Sequence, residues 1–212
     1  MDGENGIFKK SITEEELKLL PLNSFPGTIY VIEKPEQVNA ALEYLSAQNS
    51  LGFDTETKPS FAKGQNNPVS LLQLSTDSKA FLFRISRIGL PKGLIKILAS
   101  PKIIKIGVAI RDDIKILQRV TPFKPAAFVD LQEIVGDYGI ENFSLKKLSA
   151  IVLGFRISKA QRLTNWDAPV LTEPQLLYAA TDAWAALGIY SKLLEMQVDS
   201  EPFSTEEKAV ND

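Results

Sequence analysis

The chain has neither cysteine nor histidine among its 212 residues. Lack of cysteine excludes disulfide scaffolds, thiolate zinc sites and cysteine nucleophiles. Lack of histidine excludes Ser-His-Asp triads, HExxH zinc sites and any imidazole base. Whatever chemistry occurs must use carboxylates, Lys, Tyr, Ser/Thr or a metal held by oxygen. Long apolar runs are also missing. No stretch of about 18 apolar residues occurs, so no membrane span is expected. Residues 1–10 hold no apolar core of signal-peptide length. A cytoplasmic protein is the resulting expectation. Nor is there an excess of positive charge: 24 Lys and Arg stand against 26 Asp and Glu, for a formal net charge of −2. Binding to a polyanion would have to rest on a local patch.

What is present is ordinary for a globular protein, with 44% hydrophobic and 24% charged residues. The length suits one well-buried domain. The charge is uneven. Residues 199–212 carry Asp199, Glu201, Glu206, Glu207 and Asp212 against Lys208, a net of −4 that leaves +2 for the rest. The expected organisation is a lead-in over 1–25, a single domain over 26–196, and an acidic, disordered tail over 197–212. Within the domain the patterns predict strands over 30–33, 51–56, 69–75, 79–85, 103–106 and 127–130. Helices are expected over 35–48, around 94–98 and over 110–119, and most of the chain after 130 reads as helical. The second and third of these segments flank a Pro-, Gly- and Asn-rich loop at 58–68. The 69–75 and 79–85 strands form a hairpin across Thr76-Asp77-Ser78. Early antiparallel strands followed by strand–helix alternation give an α/β class: a mixed sheet of five to six strands flanked by helices.

The acids fall into three segments. In Leu51-Gly52-Phe53-Asp54-Thr55-Glu56, alternation along a strand points Asp54 and Glu56 to one face and Leu51 and Phe53 to the other. Paired carboxylates repel each other on a half-buried strand unless a cation lies between them; the other reading is an exposed strand end. In Ile110-Arg111-Asp112-Asp113-Ile114-Lys115-Ile116-Leu117, Ile110, Ile114 and Leu117 mark the inward stripe of a helix and Asp113 lies within it, with Asp112 nearer its edge. Either acid could instead serve the helix N-terminal dipole. In the third segment, Thr172 and Gln175 form a possible capping box ahead of a long helix. Tyr178 and Asp182, four apart, share one of its faces amid Ala179, Ala180, Ala183, Ala185 and Ala186. A Tyr–Asp hydrogen bond within the core is the alternative there. Taken in order, four carboxylates and one phenol can converge on two divalent ions flanking a phosphodiester.

Gly52-Phe53-Asp54-Thr55-Glu56, Gly107-Val108-Ala109-Ile110 with Asp113, and Leu177-Tyr178-Ala179-Ala180-Thr181-Asp182-Ala183 resemble the three motifs of the DEDD-type 3′–5′ exonucleases, in the tyrosine-bearing branch with RNase D and the Werner syndrome exonuclease domain. Leu71-Leu72-Gln73-Leu74, Phe128-Val129-Asp130-Leu131 and Asn165-Trp166 extend the likeness over about 28–194. The resemblance implies an RNase H-like fold and stepwise hydrolysis from the free 3′ end of DNA or RNA. It implies that Asp54, Glu56, Asp113 and Asp182 bind two ions, Mg²⁺ or Mn²⁺, and that Tyr178 positions the attacking water. A catalytically silent nucleic-acid-binding module on the same fold is the alternative. Residues 144–162 carry Lys146, Lys147, Arg156, Lys159 and Arg162 without an acid. Of these, Lys159 and Arg162, in the loop before the third motif, are the expected phosphate contacts. Phe61 could stack on a base or pin its own loop. No feature identifies a protein partner.

Overall fold

A computed structural model describes residues 8–59 and 67–200, with side chains through 197. Phe61 and the residues from 201 onward lie outside that range. In chain order the elements are α1 (Glu14–Leu19), β1 (Thr28–Ile32), α2 (Pro35–Ser46), β2 (Ser50–Thr57), β3 (Val69–Ser75), β4 (Lys79–Phe83), α3 (Ile85–Ile88), α4 (Lys92–Leu98), β5 (Ile104–Gly107), α5 (Arg111–Val120), β6 (Phe128–Asp130), α6 (Leu131–Ile134), α7 (Leu145–Leu148) and α8 (Glu173–Ser200). A 3₁₀ turn (Val135–Tyr138) follows α6, and a π-helical turn (Ser149–Leu153) follows α7.

The strands form one six-stranded sheet in the order β1-β4-β3-β2-β5-β6. β2, β3 and β4 are antiparallel; β1 joins β4 in parallel, and β5 and β6 continue in parallel beyond β2. The expected mixed sheet is present at six strands. Pleating sorts its side chains. Leu51, Phe53, Leu72 and Phe81 pack with Val38 and Leu45 of α2, Leu94 and Ile97 of α4, and Leu117 of α5. The opposite face lies under α8, where Leu71 and Leu82 meet Tyr178 and Ala179.

Helix α8 approaches the sheet closely because both surfaces are small. Ala179, Ala180, Ala183 and Ala186 are buried. A Cβ added at Gly52 would lie 1.9 Å from the Ala183 carbonyl oxygen, so β2 and the helix backbone touch there. The acids on either side of this contact, Asp54 on the strand and Asp182 on the helix, are brought together by it. The capping box opening α8 is present: Thr172 N donates to Gln175 Oε1 at 3.0 Å, and Gln175 N to Thr172 Oγ1 at 3.4 Å.

The lead-in is packed onto the domain from Ile12 onward: Ile12 and Leu17 bury against Ala150, and Phe25 against Ala80 and Ala180. Thr13 and Glu16 cap α1 reciprocally. At the other end, α8 runs to Ser200, and the expected tail from 201 onward lies outside the described residues. Leu187, Ile189 and Leu193 anchor this helix in the core. Among the described residues no helix is long and apolar enough to cross a membrane.

Candidate active site

One carboxylate oxygen from each of Asp54, Glu56 and Asp182 lies within 4.8 Å of the others. Alternation along β2 aims Asp54 and Glu56 at α8, and the Gly52–Ala183 contact brings Asp182 down to meet them. The group is enclosed, with Glu56 9% and Asp182 8% exposed. Among the described residues, no lysine or arginine forms an ion pair with any of the three. Burial, then the charges of Asp182, Glu56 and Asp113, push the Asp54 carboxyl well above its usual range. Glu56 is pushed up to about 9 by burial and by Asp182 and Asp113. Burial raises Asp182 to about 7, against an opposing pull from the Tyr178 hydroxyl and Lys159. Three buried acids without a bonded cation, offering only oxygen, fit a hard divalent ion.

Asp113 stands apart from this close group. α5 starts above the end of β5, and β5 pairs with β2 only as far as Gly52. The last turns of β2 are therefore open on that side, and the Asp113 carboxylate reaches in to accept a hydrogen bond from the Thr55 hydroxyl. Burial raises its carboxyl. Asp112 points to solvent and pairs with Lys115 at 2.8 Å.

Tyr178 is 8% exposed, its ring tilted against Trp166 at 6.0 Å. Burial and the charge of Asp182 hold its hydroxyl above the usual phenol range. Tyr178 also lines the cavity that holds the acids. That cavity, about 170 Å³, is bordered by Asp54, Asp182, Lys146, Lys159 and Val108. Lys159 is exposed, and burial of its stem lowers its ammonium. Arg162 is exposed, and its charge reaches Glu56. Lys146 is tied to Glu14 of α1 at 3.0 Å.

Three further groups build this site. Asp130 accepts from the backbone N–H of Ala109 at 2.9 Å, Ile110 at 3.0 Å and Gln132 at 3.0 Å. It thereby fixes the turn from β5 into α5, where Ala109 has φ of 59°, and so sets where Asp113 begins. Arg84 donates to the Ala168 carbonyl at 2.6 Å and Arg87 to that of Pro169, and Glu33 bonds Arg87 at 2.6 Å. These clamp the segment between the basic loop and α8. Gln73, opposite Asp54 across the sheet, is fully buried, and neither atom of its amide has a partner among the described residues. Of these, Asp130 and Gln73 fall in segments that carry the family likeness; the arginine contacts depend on chain crossings that the sequence does not announce.

The model of a 3′–5′ exonuclease family matches residues 29–197. The chain belongs to that family. A 3′–5′ exonuclease/helicase of Mus musculus, WRN, is 36% identical over 200 residues, which cover 90% of this chain and 14% of that protein. Against the next two curated relatives, a putative 3′–5′ exonuclease of a mimivirus and a Drosophila melanogaster exonuclease-domain protein, the chain spans 40% and 25% of their length. The exonuclease domain of Aedes aegypti Nibbler superposes with a TM-score of 0.76 at 24% identity, over 84% of this chain and 93% of that one. Escherichia coli RNase D gives 0.73 at 24% identity, over 81% and 46%. Both likenesses establish the RNase H-like fold of this exonuclease-family domain. The family is metal-dependent, in keeping with the acidic cluster.

Proposed function

We propose that this chain removes nucleotides one at a time from the free 3′ end of a nucleic acid strand by metal-dependent hydrolysis. The observation that carries the reading is the enclosed group of carboxylates of Asp54, Glu56 and Asp182, gathered within 4.8 Å beside Tyr178. These three would hold divalent ions, and Asp113, linked to β2 through Thr55, would complete a four-acid set suited to two ions. An all-oxygen set suits Mg²⁺ or Mn²⁺. When bound, the ions supply Lewis-acid polarisation of the phosphate and a more acidic water. The remaining chemistry belongs to the chain. A phenol held above its ordinary range stays neutral, so Tyr178 orients water at phosphorus as a hydrogen-bonding group and not as a base. Lys159 and Arg162 hold the strand's phosphates. Water adds to phosphorus, the bond to the 3′ oxygen of the preceding nucleotide breaks, and that oxygen takes up a proton. A nucleoside 5′-monophosphate leaves and a new 3′ hydroxyl remains.

A gel assay with 5′-labelled single-stranded and 3′-recessed DNA and RNA tests this. The expected result is a ladder shortening from the 3′ end in Mg²⁺ or Mn²⁺, abolished by EDTA and by Asp182→Ala. Binding of every substrate without cleavage would instead support the silent nucleic-acid-binding module.

A further inference from the structure

Helix α8 serves two cavities. Tyr178, Asp182 and Ala186 border the one with the acids, together with Lys146 and Lys159. The neighbouring stripe of the same helix, Pro174, Leu177 and Thr181, borders a second cavity of about 340 Å³. Tyr178 belongs to both. The basic loop divides in the same way: Lys159 borders the first cavity, while Ser158 and Gln161 border the second. The far wall of the second is the lead-in, at Leu22 and Asn23.

The two cavities differ in chemistry. The first has two acids and two lysines, Asp54, Asp182, Lys146 and Lys159, in its lining. No residue lining the second carries a charge, so nothing there compensates a phosphate. Its apolar surfaces, Leu22, Pro174 and Leu177, lie among neutral hydrogen-bonding groups. The side-chain amide of Gln161 and the Nδ2 of Asn23 have no hydrogen-bond partner among the described residues, while Asn23 Oδ1 accepts from Ser24 N at 2.9 Å. An apolar surface with a few free amide groups suits a flat, uncharged heterocycle with polar edges. The wall is also built and not a loose strap. Asn23 N donates to the Arg156 carbonyl at 2.9 Å, Arg156 N to that of Pro21 at 2.9 Å, and Phe25 N to Thr181 Oγ1 at 3.0 Å. Because Tyr178 borders both cavities, a base held in the second would lie next to a phosphate held at the first.

We propose that the cavity between residues 22–23 and α8 receives the base of a nucleotide flanking the scissile phosphate, making the lead-in part of the substrate surface. This rests on the exonuclease reading. The test is first-nucleotide release from oligonucleotides, intact or abasic at either nucleotide flanking the cut, by the full chain and by the double variant Leu22→Ser/Gln161→Ala. Leu22 is 55% exposed, so the variant should fold. In the unaltered chain, one abasic position should lower kcat/KM about tenfold, as loss of a single base contact does. In the variant, KM for the intact strand should rise about tenfold with kcat kept, and the abasic penalty should vanish. Manganese-dependent hydrolysis of bis(p-nitrophenyl) phosphate, which has no base, should be equal in both. An unchanged KM, or an undiminished abasic penalty in the variant, would overturn the base site and leave the exonuclease reading standing. Hydrolysis of neither substrate by the unaltered chain would overturn the exonuclease reading and the base site with it.

Discussion

Asp182 joins the acidic cluster to the fold, and its two proposed roles pull in opposite directions. Packed against Asp54 and Glu56, it raises both carboxyls; without a cation the folded chain bears the repulsion. Asp182→Asn should therefore lower cleavage at least about a hundredfold while raising the melting temperature of the metal-free protein by about 2–4 °C. Turnover assays and thermal scans in EDTA check the pair; a variant both inactive and less stable would mean that this acid serves packing. Tyr178→Phe separates the phenol in the same way. It keeps the ring contact with Trp166 and should slow hydrolysis about a hundredfold with unchanged metal affinity by calorimetry. Equal rates would mean that the hydroxyl takes no part in the reaction. At this scale much was legible beforehand. The two-residue spacing of Asp54 and Glu56 and the four-residue spacing of Tyr178 and Asp182 fix shared faces without any knowledge of the fold. The hold of Thr55 on Asp113 was not legible, because it depends on β5 ending where β2 continues.

Elements position these residues, and the turn from β5 into α5 shows how. Asp130 binds three backbone amides with one carboxylate, tying two helix starts to the end of β6. Asp130→Ala should cost about 2 kcal/mol of stability, measured by urea denaturation, with Asp130→Asn recovering part of it. Metal affinity should weaken alongside, since the start of α5 carries Asp113; a stability loss with unaltered metal binding would detach that helix from the site. Gly52 acts between elements. A methyl group there meets the Ala183 carbonyl, so Gly52→Ala must displace α8 and with it Asp182 and Tyr178. The strands were readable as short apolar runs bounded by turn residues, and most are buried on both faces. The extent of α8 and the attachment of residues 12–25 were not. Both depend on apolar contacts between segments far apart in sequence, such as Leu17 with Ala150, and a polar stretch looks the same whether or not its few apolar residues find a partner.

The whole molecule links fold, metal and pH. Without a cation, the folded chain holds Glu56 up at about 9 and Asp182 at about 7, with Asp54 raised as well. Unfolding returns these groups to the ordinary carboxylate range near 4. The folded state thus binds more protons than the unfolded one between about pH 4 and 9, so this contribution to stability is complete below the unfolded values and drains away as pH rises through 7 and then 9. Lys105 works in the opposite direction. It is buried and donates to the carbonyls of Ile97, Ser100 and Ile103, and burial lowers its ammonium to about 8; its contribution grows above that pH. It lies on the far side of the sheet from the acids and is indifferent to a divalent ion. The difference between scans with and without metal therefore isolates the carboxylates. In EDTA the melting temperature should fall from pH 6 to pH 9. In millimolar Mn²⁺ the fall should be largely abolished, because a bound cation replaces the protons and favours the ionised acids. The gap between the two curves should widen steadily with pH and should nearly close in Asp54→Asn/Asp182→Asn. Parallel curves would mean that the acidic cluster binds no divalent ion, and would remove the basis for metal-dependent hydrolysis in this chain.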